Sequence, residues 1–219
     1  MSRELLTQAR ILIVDDHPVV RLGIRQMIAG DAGLSICGEA DSAESAVGLV
    51  KSAHPDLAII DLSLGRGTGL DLIRLLHESV PDLPMLVLSM HDEALFAERV
   101  LRAGARGYIM KQQAIAGLVE AIRQVLAGRI YLSERMAQSV LERLGHDSPQ
   151  PGGRLGNLTD RELEVFNLIG HGASTTDIAR QLNLSIKTIE TYRANIKSKL
   201  DLKDAADVIR YATSWVERL

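Results

Sequence analysis

Short apolar runs recur through the first half of the chain, and four of the five stop at a residue able to do chemistry. The runs are Ile11–Val14, Leu34–Cys37, Leu57–Ile60, Met85–Leu88 and Tyr108–Met110. Runs this brief and this aliphatic read as buried strands. Helix-length amphipathic segments separate them: Pro18–Ala29, Ser42–Ala53, Gly69–His77, Asp92–Ala103 and Ala114–Leu126. Ser42 reads as a helix cap, with a capping-box glutamate near Glu44–Ser45. Strictly alternating strands and helices predict an α/β domain with a doubly wound, five-stranded parallel sheet, helices on both faces and right-handed crossovers. Such a sheet binds ligands beyond the carboxyl ends of its strands.

Asp15 and Asp16 follow the first strand, Asp61 the third, Ser89 the fourth and Lys111 the fifth. Brought to one rim, three carboxylates repel one another, and a hard divalent cation relieves that repulsion. A hydroxyl and an ammonium are what the remaining oxygens of a phosphoryl group need. The pattern therefore predicts three acids holding Mg²⁺, with Asp61 as nucleophile and Ser89 and Lys111 completing the cradle. Asp61 is chosen because it ends a central strand and precedes a Gly-rich loop.

Composition narrows the class. The 219 residues are 46% hydrophobic and 24% charged, which excludes a wholly disordered chain. Aromatics are only 3%, so the cores must be aliphatic. No run nears the ~20 apolar residues of a membrane span, and no signal peptide is evident at the start, so no membrane role and a cytoplasmic location are expected. Cys37 is a single cysteine, read as a small buried strand residue rather than a disulfide or zinc partner. The six histidines show no ligand spacing; His17 and His91 are expected at surface loop positions. Net charge is −3, carried by residues 1–130 with 13 Lys/Arg against 16 Asp/Glu, while residues 155–219 hold 9 of each. Within the latter, residues 185–203 are locally basic, with five cations against two acids.

The motifs Ile-Leu-Ile-Val-Asp15-Asp16-His-Pro, Ile-Ile-Asp61-Leu-Ser-Leu, Val-Leu-Ser89-Met-His-Asp-Glu and Gly-Tyr108-Ile-Met-Lys111 resemble the receiver domain of two-component response regulators, a flavodoxin-like fold. The resemblance covers about residues 9–129. It implies that Asp61 accepts a phosphoryl group from a sensor histidine kinase. It also implies that Asp15 and Asp16 hold Mg²⁺ with the main-chain carbonyl of Ser63, and that Ser89 and Tyr108 form a switch pair. In that pair Ser89 moves to the phosphate and Tyr108 packs inward. Gly65 stands where the family usually has Pro, and Gln112 follows Lys111 where many members have a cis-proline.

Residues 130–154 read as a connector. Leu132, Met136, Val140, Leu141 and Leu144 recur at helical spacing, and the segment 145–154 then holds two Pro and three Gly, a linker composition.

The remaining residues, 155–219, read as a second, all-α domain of four helices. Thr159 and Glu162 form a capping box, Gly170 or Gly172 ends that first helix, Thr175–Leu182 follows, then Ile186–Leu200 and Asp204–Trp215. A short helix, a turn at Asn183-Leu-Ser185 and a longer basic helix make a helix-turn-helix. At about 100° per residue, Ile189, Ile196 and Leu200 share one face, flanked by Tyr192 and Arg193. Lys187, Thr191, Ala194 and Ser198 fall opposite, with Glu190 and Asn195 at the edges. A small, polar, cationic face of this kind suits the major groove of double-stranded DNA. Lys187, Lys197, Lys199 and Arg193 would meet phosphates, while Glu190 and Thr191 could read bases.

Leu-Thr-Asp-Arg-Glu-Leu-Glu-Val, Gly-Ala-Ser-Thr-Thr-Asp-Ile-Ala and Ser-Ile-Lys187-Thr188-Ile-Glu-Thr-Tyr192-Arg resemble the LuxR-type DNA-binding domain, and the whole chain resembles the NarL/FixJ class. The expected DNA-contacting set is Lys187, Thr188, Glu190, Thr191, Tyr192, Ala194, Asn195, Lys197 and Ser198. The expected function is a response regulator of transcription in which phosphorylation of Asp61 favours a homodimer and DNA binding. Trp215 and Val216 are read as core residues, with a part in a DNA-bound dimer as the alternative. Two rival readings fit the sequence less well. A regulator working by dimerisation alone does not need the intact acid–hydroxyl–lysine set. A phosphohydrolase with an Asp nucleophile usually needs Asp-x-Asp at the first strand, which Asp15-Asp16-His17 lacks.

Overall fold

The computed structural model describes residues 8–64, 68–138 and 153–217. The chain divides into two units, Met1–Ala137 and Gln138–Leu219.

In the first unit the strands β1 (Ala9–Val14), β2 (Leu34–Ala40), β3 (Leu57–Ile60), β4 (Met85–Ser89) and β5 (Gly107–Met110) form one parallel sheet in the order β2-β1-β3-β4-β5. The helices are α1 (Pro18–Ala29), α2 (Ala43–Ala53), α3 (Gly69–Ser79), α4 (Glu93–Arg102) and α5 (Ala114–Leu126). β3 and the last four residues of β1 are covered on both faces, which is why their sequences are unbroken apolar runs. Ile24 and Ile28 of α1 and Leu118, Ile122 and Val125 of α5 pack on Ile11, Ile13, Ile59, Leu86 and Leu88. α2, α3 and α4 neighbour one another in turn, α2 lying on β1 and β2 and α4 on β5. The strand order reverses direction between β1 and β3, placing a crevice there for whatever their ends carry.

Three local expectations are corrected. β2 runs on through Gly38, Glu39 and Ala40, because its pairing to β1 resumes after a bulge between Ile11 and Leu12. Cys37, the residue skipped in that register, is half-buried rather than buried. Ser42 does cap α2, but it accepts from the backbone of Ser45, so no glutamate completes a capping box.

The connector is structured at its described ends. Tyr131 forms a parallel bridge with Gly107, accepting from Tyr108 N at 2.9 Å and donating to Arg106 O at 3.0 Å. Ser133 N donates to buried Glu93 at 2.9 Å, residues 134–138 are helical and Met136 is buried. Gly153 and Arg154, expected in the flexible linker, belong to a 3₁₀ turn, Gly153–Asn157. Val140, Leu141, Leu144 and the linker up to residue 152 lie outside the described residues, as does Gly65.

In the second unit α6 (Asp160–Gly170), α7 (Thr175–Gln181), α8 (Ile186–Lys199) and α9 (Ala205–Val216) surround Phe166, Ile169, Ile178, Ile189, Ile196, Val208 and Ala212. Each has a side-chain cap: Thr159, Ser174, Ser185 and Asp204. The Thr159–Glu162 capping box is present. Asn183, at a φ of 52°, turns the chain between α7 and α8. Gly170 lets α9 approach closely: a Cβ there would lie 2.5 Å from Val216 and 2.7 Å from the Ala212 carbonyl. Val216 is thus a packing residue of this unit, and Trp215 is half-buried beside it.

Candidate functional site

The ends of β1, β3, β4 and β5 meet at one rim. Asp15 and Asp61 are buried there, and Asp16 is partly exposed. Lys111 Nζ lies 2.7 Å from Asp61 Oδ2 and 2.7 Å from Asp15 Oδ2, joining the two carboxylates. The peptide between Lys111 and Gln112 is trans, so the missing proline does not keep the ammonium from the site. Burial pushes the pKa of Asp61 up to about 6; the Lys111 ammonium pulls it down, and the charge of Asp15 pushes it further up. Burial works against the charge on Lys111, but Asp61 and Asp15 outweigh it and hold its pKa above the usual lysine value.

Asp15, Asp16, His17 and Asp61 each offer a ligand atom within 4.8 Å of the others. Asp61 Oδ1 is buried with no hydrogen-bond partner, and buried Asp15 Oδ2 faces the Lys111 ammonium at 2.7 Å. Buried carboxylate oxygens left in this state fit a hard cation that takes oxygen ligands. His17 was not expected in the cluster; its Nδ1 stands 2.6 Å from Asp16 Oδ1, while its ring is mostly exposed. The adjacency of His17 to Asp16 was the available signal.

Ser89 is fully buried, and its Oγ accepts from His91 N at 3.2 Å. Tyr108 is packed inward, also fully buried, and its hydroxyl donates to His91 O at 2.8 Å. Burial drives the tyrosine pKa well up, so this hydroxyl stays protonated. Ser63, half-buried, places its Oγ 3.0 Å from His91 Nε2. His91 corrects the sequence reading: it is 3% exposed, not a surface loop residue, because its ring lies 4.9 Å from Phe96 and under the loop that carries Ser63.

In the second unit, α8 buries Ile189 and Ile196 and is followed by buried Leu200. Lys187, Glu190, Thr191, Ala194, Asn195 and Ser198 are exposed; Thr188, Tyr192, Arg193 and Lys197 are half-buried. Thr191 Oγ1 donates to the Lys187 carbonyl at 3.0 Å, and Thr188 shares a 2.7 Å hydrogen bond with the cap Ser185. Thr188 therefore also serves the helix start. Lys199, also expected to meet phosphates, has its Nζ 2.6 Å from Glu162, at the capping box of α6. A cleft of about 250 Å³ between α8 and α9 is lined by Glu190, Arg193, Ala194, Lys197, Ala205 and Val208.

Residues 11–123 match the family model of the response regulator receiver domain, and residues 156–212 match that of bacterial regulatory proteins of the luxR family. The response regulator GacA of Pseudomonas aeruginosa is 36% identical over 88% of this chain and 90% of its own. RcsB of Salmonella enterica serovar Typhimurium, solved bound to promoter rprA in the presence of the phosphomimetic BeF3−, has a TM-score of 0.61 and 26% identity over 94% of this chain and 99% of that one. A structure of two RcsB dimers bound to two parallel DNAs gives a TM-score of 0.58 at the same identity, covering 95% of this chain and 99% of that one.

Proposed function

The chain belongs to the response regulators of the NarL/FixJ class, with a receiver domain and a LuxR-type DNA-binding domain, and from that premise we propose that phosphorylation of Asp61 governs its binding to DNA. Members of this class regulate transcription and are not metabolic enzymes. The observation that carries the reading is the seating of Asp61 between Lys111 and the acids Asp15 and Asp16 at the sheet rim.

A phosphohistidine of a sensor kinase is the donor. A carboxylate oxygen of Asp61 attacks phosphorus; the P–N bond breaks, its electron pair returns to the imidazole, and an aspartyl phosphate forms. Asp15, Asp16, Asp61 and the main-chain carbonyl of Ser63 would hold Mg²⁺, which supplies positive charge to the phosphoryl oxygens. Lys111 leaves its ion pair with Asp61 for one of those oxygens, and the Ser89 hydroxyl donates to another. Ser89 Oγ also accepts from His91 N, so a shift of that hydroxyl toward the phosphoryl group would carry occupancy of the rim to the turn before α4.

The exposed face of α8 enters the major groove. Lys187, Thr188, Tyr192 and Lys197 hold the backbone, and Glu190, Thr191, Ala194, Asn195 and Ser198 lie against the bases. RcsB forms dimers on DNA; a homodimer of this chain on paired half-sites follows the same logic. The cytoplasm is the compartment where kinase, Mg²⁺ and chromosomal DNA coincide, and among the described residues no helix is long and apolar enough to cross a membrane.

Incubation of the full chain with Mg²⁺ and a small phosphodonor is expected to add one phosphoryl group, read by intact mass, and Asp61→Asn to add none. The same wild-type sample should bind its promoter more tightly than Asp61→Asn. An unmodified wild type, or equal DNA affinity of the two, overturns the proposal.

A further inference from the structure

Arg21, the fourth residue of α1, reaches back over the end of β1. Its Nη1 donates to the Asp15 carbonyl at 2.6 Å, and its Nε lies 3.3 Å from Glu39 Oε2. Arg25, one turn further along α1, donates to the other oxygen of Glu39 at 2.5 Å. Glu39 stands beside the rim because β2 resumes its ladder after the bulge, which pairs Glu39 with Ile13. The Arg21 side chain is 18% exposed and that of Glu39 25%, so salt screens this pair less than a surface pair.

We propose that Arg21 is a positioning residue for the divalent cation, holding the peptide that joins Asp15 to Asp16 so that both carboxylates face one ion, with Glu39 aiming its guanidinium. The inference rests on the rim acids as the Mg²⁺ site. Asp15 is held on its other sides. Its N–H donates to the Ala40 carbonyl at 3.1 Å, its Oδ1 accepts from His17 N at 2.8 Å, and its Oδ2 faces Lys111. Asp16 lies past the end of β1, so the peptide before it decides where its carboxylate starts. A peptide unit moves as a plane, and a guanidinium on the Asp15 carbonyl fixes the direction in which the chain enters Asp16. A forked donor that is itself paired suits this task, because one side chain can hold the carbonyl and be held by Glu39 at once. Charge and position make opposite demands at this point. A cation beside three carboxylates repels a divalent ion, so loss of the charge alone would tighten metal binding, whereas loss of a brace loosens it. The sign of the change tells the two apart.

The test uses the full chain and Mn²⁺, which takes the same oxygen ligands as Mg²⁺ and whose free ion is counted by electron paramagnetic resonance. Arg21→Met should raise the Mn²⁺ dissociation constant about tenfold, the low end of what losing a residue that orients a ligand costs. Arg21→Lys, which keeps the charge but cannot hold Glu39 and the carbonyl together, should raise it as well. The double variant Arg21→Met/Glu39→Gln should match Arg21→Met within about twofold, because Glu39 acts through Arg21. Phosphoryl addition from a small phosphodonor is read by intact mass at a series of Mg²⁺ concentrations. In Arg21→Met the concentration giving half the maximal rate should rise about tenfold, while the rate at saturating Mg²⁺ changes by less than about twofold. A general loosening of the fold would lower the saturated rate as well. Should Arg21→Met fail to fold, Arg21→Lys decides by the same readouts. A dissociation constant unchanged or lower in the Arg21 variants, a double variant outside that range, or a saturated rate that falls as far as the affinity overturns the assignment while leaving the rim as the Mg²⁺ site. Mn²⁺ binding by the wild type that is absent, or no tighter than in Asp16→Ala, overturns both.

Discussion

Glu162 holds two partners at the start of α6. Its carboxylate accepts from Thr159 N at 2.7 Å and pairs with Lys199 Nζ at 2.6 Å. Burial pushes its pKa up, but Lys199 and the backbone and hydroxyl of Thr159 outweigh burial and hold it below its usual value. A carboxyl whose folded pKa is lowered contributes stability above its unfolded pKa and loses it as pH falls through the folded value. The contribution is therefore present in full above the range where an unfolded glutamate titrates and is lost as pH falls through the lower folded value. Lys199→Met should cost about 1–2 kcal/mol at neutral pH, toward the low end because the lysine side chain is 36% exposed. Urea melts should show the gap between variant and wild type shrinking once pH drops below the unfolded pKa. The rim residues Asp15, Asp16, Asp61, Ser89 and Lys111 could be read from the sequence because a strand's last residue has one place to go in a parallel sheet. His91 and Lys199 could not. The surroundings of His91 come from Phe96 and Ser63, and those of Lys199 from a capping box 37 positions earlier, so no local pattern announces either.

α3 starts against the strand that carries Asp61. A Cβ at Gly69 would lie 2.0 Å from the Asp61 carbonyl oxygen and 2.7 Å from the Leu62 Cα, and Gly69 N donates to Leu62 O at 2.8 Å. Both obstacles are backbone, so Gly69→Ala must displace the end of β3 or the start of α3. Overpacking of this kind costs about 1–3 kcal/mol. A melting scan should show the loss, and the yield of aspartyl phosphate should fall more than the loss of folded protein accounts for. Helix starts were legible because caps are local; Thr159, Ser174, Ser185 and Asp204 each act within three residues. The second half of β2 was not. Gly38, Glu39 and Ala40 lack a strand's apolar pattern and are held by ladder bonds to β1, with Gly38 close under Leu12 and Leu49.

On duplex DNA the whole molecule, net negative at −3, should bind through the cations of α8. Log affinity should fall linearly with log salt, and Lys197→Ala should lower that slope by about one unit per protomer while weakening all sequences alike. Glu190→Ala should leave the slope unchanged or steeper and relax base preference, because it removes an acceptor rather than a cation. Fluorescence anisotropy at several salt concentrations, on the operator and on a scrambled duplex, separates the two. At this scale the sequence was most informative: two unlike halves, one alternating strand with helix and one wholly helical, need little long-range information to be told apart.

The chain also spends its own backbone to finish one side of the sheet. Tyr131 has already claimed the Tyr108 amide and the Arg106 carbonyl, groups that a bare outer strand would hold out as a template for foreign strands. At the start of β5 those two groups are thereby withheld from amyloid-like accretion and strand exchange, so a foreign ladder cannot begin there.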